Sequence, residues 1–205
     1  MAFQKQKIVL ATNNQGKLRE LQACFDGFQV DIIAQSKAGI SPVDETGNSF
    51  LANAMQKAHH AASLSEHPVI ADDSGLIVDS LDGMPGVYSA RYAGVNSSDE
   101  ENIDFLLKKM EGENKRQARF HCCLIYLRSS QDKEPIIVTA EWNGMICDNQ
   151  TGNKGFGYDS IFFVPELKLT AAELAVDVKN KYSHRGKANK TLVRELLKKN
   201  LILEN

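Results

Sequence analysis

The first 35 residues constrain the fold most, because they predict a strand, a helix and a second strand in that order. The segment KIVLAT (7–12) is a nearly continuous apolar run, which is typical of a buried strand. A polar turn follows, and GKLRELQACF (16–25) then places apolar residues at helical spacing. The segment VDIIAQ (30–35) is predicted to be the next strand and closes an αβ unit.

The rest of the chain extends this pattern and predicts an α/β protein with a mixed sheet. Apolar side chains recur at helical spacing in residues 46–65, and a further helix is predicted to start at Ser98-Asp99. The segments ARFHCCLIYLRS and PIIVTAEWNG predict two long strands that can form a hairpin. Two C-terminal helices are predicted, the second with Ser183 as its N-cap. Because no linker or repeat interrupts the chain, residues 1–205 are predicted to form a single domain.

Charge and composition exclude several classes of function. The formal net charge of −2 provides no overall basic field for a nucleic-acid backbone. The longest apolar runs are too short to cross a bilayer, and the start MAFQKQKIVLATNN lacks the apolar core of a signal peptide. The four cysteines have no metal-ligand spacing and are expected to be reduced, packed thiols. We therefore expect a cytoplasmic protein without a nucleic-acid or membrane partner.

The turn ATNNQGK (11–17) is the first candidate site. A strand that ends in small polar residues and enters a helix leaves backbone N–H groups at the positive end of the helix, where anions bind. Lys17 adds a mobile cation. The turn is not a Walker A loop, because Leu18 stands where a Ser or Thr would hold Mg²⁺. From these residues alone, a phosphate site and an ordinary capped turn both remain open.

The doublet Asp72-Asp73 in PVIADDSGLIVD (68–79) is the second candidate site. Neighbouring carboxylates repel each other and are disfavoured inside strands, so we expect the doublet at the end of a strand. Their side chains would point to opposite faces of an extended segment and have different roles. Oxygen ligands suit a hard cation such as Mg²⁺, and Glu45 could supply a second carboxylate. Lys57 lies on the helix that follows Glu45, where a lysine taken alone is more often a solvated surface residue.

Two later clusters combine aromatic and cationic residues. In GFGYDSIFF (155–163), glycines around Phe156 and Tyr158 would let the backbone approach a flat ligand, with one ring as a stacking surface. A turn with two core aromatics is the alternative. The segment KNKYSHRGKA (179–188) places cations and a histidine at the start of the last helix, where positive charge opposes the helix dipole. Either an anionic partner or a solvated basic patch would explain this positive charge at the start of the helix.

Six segments taken together resemble the inosine/xanthosine triphosphate pyrophosphatase family over nearly the whole chain. They are TNNQGK, DETGNSFLANAMQKA, ADDSGL, PGVYSARYAG, GFGYD and SHRGKA, in the family order and with similar separations. The resemblance implies an elongated mixed β-sheet flanked by helices, with two lobes and a central cleft. It also implies hydrolysis of deaminated purine nucleoside triphosphates (ITP, dITP and XTP) to the monophosphate and pyrophosphate, a requirement for Mg²⁺, and a homodimer.

The resemblance further implies roles for individual residues. Asp73 would accept a proton from the attacking water and, with Glu45, hold the metal, while Lys57 would contact phosphate. The implied substrate contacts are Thr12, Asn13, Asn14, Gln15, Gly16, Lys17, Ser74, Phe156, Gly157, Tyr158, Asp159, Lys179, His184 and Arg185. Those from Phe156 onward would surround the base. Arg185 or Lys179 would face its 6-oxo group, so Arg185→Ala is expected to weaken discrimination between ITP and ATP.

Three other functions remain open at this point. The protein could be a pyrophosphatase for other modified nucleotides, such as methylated pyrimidines, or a nucleotide sensor without turnover. It could also bind nucleic acid through the loop 154–159, although the acidic net charge disfavours this. Lys154 and Ser160 differ from the commonest family residues and could loosen the base-binding loop.

Overall fold

The computed structural model describes residues 5–205, which form a seven-stranded mixed sheet with helices. The strands are β1 (Gln6–Leu10), β2 (Val30–Ala34), β3 (Val69–Val78), β4 (Gln117–Leu127), β5 (Ile136–Ile146), β6 (Phe162–Val164) and β7 (Leu169–Thr170). Their order in the sheet is β2-β1-β3-β4-β5-β6-β7. Strand β1 pairs in parallel with β2 and β3, whereas β6 pairs antiparallel with β5 and β7. The predicted α/β class with a mixed sheet is confirmed.

Five α-helices occur within the described residues. They are α1 (Gln15–Cys24), α2 (Phe50–Ser63), α3 (Asp99–Lys109), α4 (Val176–Tyr182) and α5 (His184–Lys198), and short 3₁₀ helices span Gln35–Ala38, Asp79–Leu81, Gly86–Arg91 and Gly157–Ile161. Helix α3 starts where the sequence predicted, because Ser98 and Glu101 form a capping box. Between residues 5 and 205, none of the helices is long and apolar enough to cross a bilayer.

The chain forms two compact units. The first unit comprises Met1–Asp73, described from residue 5, together with Cys122–Ala140 and Arg185–Asn205. The second unit comprises Ser74–His121 and Glu141–His184. The single domain predicted for residues 1–205 stays a prediction.

The first unit has apolar clusters on the two faces of β1. Ile8 and Leu10 belong to one cluster, together with side chains of α1 and α5, whereas Val9 belongs to the other. This alternation follows from the two-residue period of a strand. On the second face, the fully buried apolar side chains of α2 are all alanines, which are Ala54, Ala58, Ala61 and Ala62, so the helix backbone can lie close to the strands, while Phe50 and Met55 pack at the edge of the cluster.

The second unit has an aromatic core. Phe120 of β4, Trp142 of β5 and Phe162 of β6 pack with ring centroids 4.5–6.4 Å apart. Leu106 of α3 and Met110, the C-cap residue of that helix, belong to the same cluster and are almost completely buried. A large aromatic side chain buries about 150–250 Å², so these three rings dominate the packing of this core.

Strand β3 corrects the prediction that the carboxylate doublet stands at a strand end. The strand continues through Asp72 and Asp73, which are 2% and 5% exposed. Lys17 and Arg185 form ion pairs with Asp72, and Lys57 forms one with Asp73. A strand interior accepts two neighbouring carboxylates here because cations from other segments neutralise each of them.

The cysteines are free thiols, as predicted. Cys122 and Cys123 are buried, while Cys24 and Cys147 are partly buried. Burial, together with the negative charges of Asp73 and Asp72, raises the pKa of Cys123 to about 11. A thiol with so high a pKa is a poor nucleophile at neutral pH, which fits a packing role.

Candidate active site

Lys57 connects the two carboxylates that were predicted to hold the metal. Its ammonium group donates to Asp73 Oδ1 at 2.9 Å, to Glu45 Oε1 at 2.6 Å and to the backbone carbonyl of Asp72 at 2.8 Å. A lysine ammonium has three N–H donors, so each of them has a protein partner here. Lys57 therefore holds Glu45 and Asp73 together, and it would have to exchange a partner to contact phosphate.

The electrostatics of this cluster suit a proton acceptor. Burial raises the pKa of Asp73, Glu45 raises it further, and Lys57 opposes the shift. Burial alone would lower the pKa of Lys57, but the charges of Asp73 and Glu45 outweigh burial and raise it. Lys57 thus stays protonated at neutral pH, while Asp73 is a stronger base than a solvated aspartate.

The donor set fits a magnesium ion. Among the described residues, the buried Oδ2 atom of Asp73 has no hydrogen-bond partner, which is unfavourable unless a ligand satisfies it. No group of three or more His, Cys, Asp or Glu side chains within residues 5–205 could enclose a metal ion. Mg²⁺ commonly takes one or two carboxylates and completes its shell with water and substrate phosphate. Glu45 and Asp73 match that pattern.

The turn before α1 is ordered by its own side chains. Asn14 caps the helix and accepts hydrogen bonds from the N–H groups of Gly16 at 2.8 Å and Lys17 at 3.1 Å. Thr12 Oγ1 accepts from the Asn14 N–H at 3.2 Å. Two of the backbone donors expected to bind an anion are therefore already engaged by Asn14.

Lys17 stays the predicted phosphate ligand of this turn, and its contacts leave it able to bind a phosphate. Its ammonium donates to Asp72 Oδ1 at 2.6 Å and to the Asp72 carbonyl at 3.4 Å. Within the part of the chain that the structure describes, its third N–H has no partner and could bind a phosphate oxygen. Gln15 is exposed, and Asn13 accepts from the side chain of Gln35 at 3.2 Å.

Arg185 is buried in the first unit and engages two carboxylates. Its Nε donates to Asp72 Oδ2 at 2.9 Å, and its Nη1 donates to Glu20 Oε2 at 2.9 Å. Because Asp72 also binds Lys17, a continuous set of charges runs from Glu20 through Arg185 and Asp72 to Lys17. These contacts favour a positioning role for Arg185, and its contact with the base stays a prediction. Sequence reasoning missed Glu20, because only the packing of α1 and α5 brings it to Arg185.

The second unit contains the predicted base-binding residues Phe156, Asp159 and Lys179. Lys179 donates to Asp159 Oδ2 at 2.5 Å, and its ammonium lies 4.9 Å from the centroid of the Phe156 ring. The same Asp159 oxygen accepts from the Phe156 N–H at 2.9 Å. This loop therefore places a partly exposed ring beside a buried donor and a buried acceptor.

Tyr158 and His184 are buried and pack within the second unit. The hydroxyl of Tyr158 donates to the carbonyl of Ser89 at 2.9 Å. The ring of His184 stacks on Phe120, with centroids 4.7 Å apart and planes 12° from parallel. Phe156 is thus the better stacking surface of the two aromatics proposed for the base. Ser89 belongs to the PGVYSARYAG segment, which is thus hydrogen-bonded to the loop that contains Tyr158.

Two further predicted substrate contacts are Ser74 and Gly157. Ser74 lies partly buried in β3, and Gly157 begins a 3₁₀ helix.

Replacing Gly155 with alanine should disturb specifically the loop that is predicted to bind the base. Gly155 has φ +81°, and an added Cβ would lie 2.0 Å from Asp159 Oδ2. Since a displacement near 1 Å can lower catalytic efficiency ~100-fold, we expect KM for ITP to rise at least ~10-fold. Gly39→Ala is the matched control, because Gly39 has φ +72° but its added Cβ would meet nothing within 4 Å. Equal KM values for the two variants would contradict this role of Gly155.

The sequence matches known proteins over almost its whole length. A family model described as the Ham1 family matches residues 8–195. A dITP/XTP pyrophosphatase from Pectobacterium atrosepticum is 50% identical over 190 residues, which cover 92% of this chain and 96% of that protein. A protein of the same name from Escherichia coli (strain K12) is 50% identical with the same coverage.

Solved structures of proteins named Ham1 resemble this chain as well. A HAM1 protein from Coxiella burnetii superposes with a TM-score of 0.88 at 40% identity, over 94% of this chain and 99% of that chain. The Ham1 protein of Staphylococcus aureus gives a TM-score of 0.83 at 40% identity, over 95% of this chain and 100% of that chain. The fold, the sequence segments and the family model agree, and the chain therefore belongs to the Ham1 family.

Proposed function

We propose that this protein hydrolyses the deaminated purine nucleoside triphosphates ITP, dITP and XTP to the monophosphate and pyrophosphate. The cluster of Glu45, Lys57 and Asp73 carries the proposal, in a chain half identical to proteins named dITP/XTP pyrophosphatase. A buried carboxylate oxygen without a partner lowers the stability of the fold unless a ligand satisfies it. A bound cation would satisfy the Oδ2 atom of Asp73, and the raised pKa of this carboxylate suits proton transfer.

The first unit would perform the chemical step at the α-phosphorus. Asp73 accepts a proton from water as the water oxygen bonds to the α-phosphorus and the bond to the pyrophosphate oxygen breaks. Lys17 contributes positive charge to the phosphate tail through its third N–H donor. Lys57 keeps Asp73 and Glu45 in place and stabilises their ionised forms.

The divalent cation in this proposal is Mg²⁺, held by Glu45 and Asp73. When bound, Mg²⁺ neutralises charge that develops on phosphate oxygens during phosphoryl transfer. The Oδ2 atom of Asp73 and the carboxylate of Glu45 are the hard oxygen donors that this ion prefers.

The second unit would select the base. Hypoxanthine and xanthine present a 6-oxo acceptor beside a ring N–H donor, which complements Lys179 and Asp159 next to the ring of Phe156. Adenine presents an amino donor beside a bare nitrogen, which is the reverse order, so a donor would face Lys179 and an acceptor would face Asp159. A polar mismatch of this kind can give ~10⁴-fold discrimination.

The proposed assembly is a homodimer, and the proposed location is the cytoplasm. The resemblance of the six sequence segments supports the dimer. The cytoplasm is where nucleoside triphosphates are consumed, so an enzyme that removes altered nucleotides would act there. Analytical ultracentrifugation of the purified chain tests the dimer, because a monomer at micromolar concentration would contradict it.

A product assay tests the proposed activity. ITP, XTP, GTP, ATP and CTP are compared with and without Mg²⁺, with separate detection of pyrophosphate and orthophosphate. We expect pyrophosphate from ITP and XTP only when Mg²⁺ is present. Methylated pyrimidine triphosphates form a second panel, and faster turnover of these than of ITP would favour a pyrophosphatase for other modified nucleotides. Tight ITP binding without any release of pyrophosphate would favour a nucleotide sensor.

A further inference from the structure

The position of Glu45 depends on its contacts, because it lies in a loop. Residues 41–49 have no helix or strand between the 3₁₀ helix at Gln35–Ala38 and α2. Loop backbones lack the regular hydrogen bonds that hold a residue in a sheet or a helix. Metal ligands nevertheless need a fixed orientation, which neighbouring hydrogen bonds usually provide.

The side chain of Gln56 supplies such hydrogen bonds on both sides of Glu45. Its Nε2 donates to the carbonyl oxygen of Asp44 at 2.8 Å. Its Oε1 accepts from the backbone N–H of Thr46 at 3.2 Å and from the Thr46 hydroxyl at 3.4 Å. One planar carboxamide therefore binds the peptide groups before and after Glu45, as a neighbouring strand would in a sheet.

Helix α2 holds the same loop at a second point. Asn53 lies nearly one helical turn before Gln56, and its Oδ1 accepts from the Gly47 N–H at 2.8 Å. A Cβ at position 47 would lie 2.6 Å from this oxygen, so the close approach requires glycine. Lys57 then binds the carboxylate of Glu45 itself. Asn53 and Gln56 thus fix the backbone, and Lys57 fixes the side chain.

We propose that Gln56 is a positioning residue for the divalent-cation site, acting through the backbone of Glu45. Gln56 is not among the residues predicted from the sequence, and its hydrogen bonds are made to peptide groups of the loop. Its loss would let the loop rotate about Glu45 and reduce the share of molecules in which the carboxylate faces the ion. The inference rests on the proposed role of Glu45 as a metal ligand.

Direct binding of Mn²⁺ to the full-length protein tests the inference. Mn²⁺ is a paramagnetic ion that prefers oxygen ligands, as Mg²⁺ does, so electron paramagnetic resonance reports its binding without turnover. Gln56→Met removes both hydrogen bonds with a side chain of similar length that favours helices. Loss of a group that orients a metal ligand weakens metal affinity 10–100-fold, and for this partly exposed site we expect a loss of about tenfold.

A second measurement separates metal positioning from general stability. Pyrophosphate release from ITP at saturating Mg²⁺ should stay within about twofold of the wild type, because excess metal restores occupancy of the site. Gln131→Met is the matched control, since Gln131 is exposed in the loop after β4 and its side chain makes no hydrogen bond in the described structure. We expect its Mn²⁺ affinity and its thermal stability to equal those of the wild type.

Glu45→Gln distinguishes failure of this inference from failure of the metal site. If Glu45→Gln loses Mn²⁺ binding while Gln56→Met retains wild-type affinity, the role of Gln56 is overturned and the proposed site stands. If Glu45→Gln binds Mn²⁺ as the wild type does, both proposals are overturned. A Gln56→Met protein that unfolds at lower temperature yet binds Mn²⁺ normally would show that Gln56 only stabilises the fold.

Discussion

Replacing Asp73 with asparagine should lower the turnover of ITP by at least ~10²–10⁴-fold, the range typical of a lost general base. The two side chains have nearly the same shape, so packing in β3 should be retained. Asparagine cannot accept the proton of the attacking water, and it binds a divalent cation weakly. Lys57 would keep its bonds to Glu45 and to the Asp72 carbonyl. Pyrophosphate release under single-turnover conditions measures the effect.

Asp31→Asn is the matched control for this prediction. Asp31 lies in β2 with its side chain 52% exposed, and its ion pair with Lys5 is long at 3.7 Å. The same chemical change there should leave turnover and stability unaltered. Thermal denaturation of both variants verifies that they are folded. Near-normal turnover by Asp73→Asn would show that another group accepts the proton.

Replacing Arg185 with methionine should destabilise the protein by about 3–5 kcal/mol, the usual effect of removing one partner from a buried ion pair. Asp72 and Glu20 would lose the guanidinium that binds them, and their side chains are only 3% and 13% exposed. Asp72 would then hold Lys17 less firmly. We therefore expect kcat/KM to fall by a similar factor for ITP and for ATP. Urea unfolding and steady-state kinetics measure the two effects.

Arg194→Met is the control for the Arg185 prediction. Arg194 is exposed on the same helix, α5, so its replacement should change the free energy of unfolding by less than ~1 kcal/mol. The prediction would be contradicted if Arg185→Met had normal stability and a smaller ratio of kcat/KM between ITP and ATP. Arg185 would then be a base contact, as the family resemblance implies.

Local patterns in the sequence were sufficient to predict the first three elements of secondary structure. Strand β1, helix α1 and strand β2 follow from apolar spacing that neighbouring residues determine. The continuous strand through Asp72 and Asp73 could not be predicted in this way. Its stability depends on cations from α1, α2 and α5, which lie far away in the chain and approach β3 only in the folded protein.

The candidate site was predictable in part for the same reason. Glu45, Lys57 and Asp73 were found because family segments mark them, and the structure brings the three together. Glu20 and Gln56 have no such mark. Glu20 acts on a helix that follows about 165 residues later in the chain, and Gln56 acts on backbone groups that carry no side-chain signal.

The two hydrogen-bonding sites of Asp72 have a consequence for Lys17 and Lys57. Its carboxylate accepts from Lys17 of α1, and its backbone carbonyl accepts from Lys57 of α2. The two ammonium groups are therefore hydrogen-bonded to one and the same residue, so their separation depends on Asp72 more directly than on contacts between the two helices. Relative motion of α1 and α2 should therefore change this charge separation less than it changes the distance between the helices.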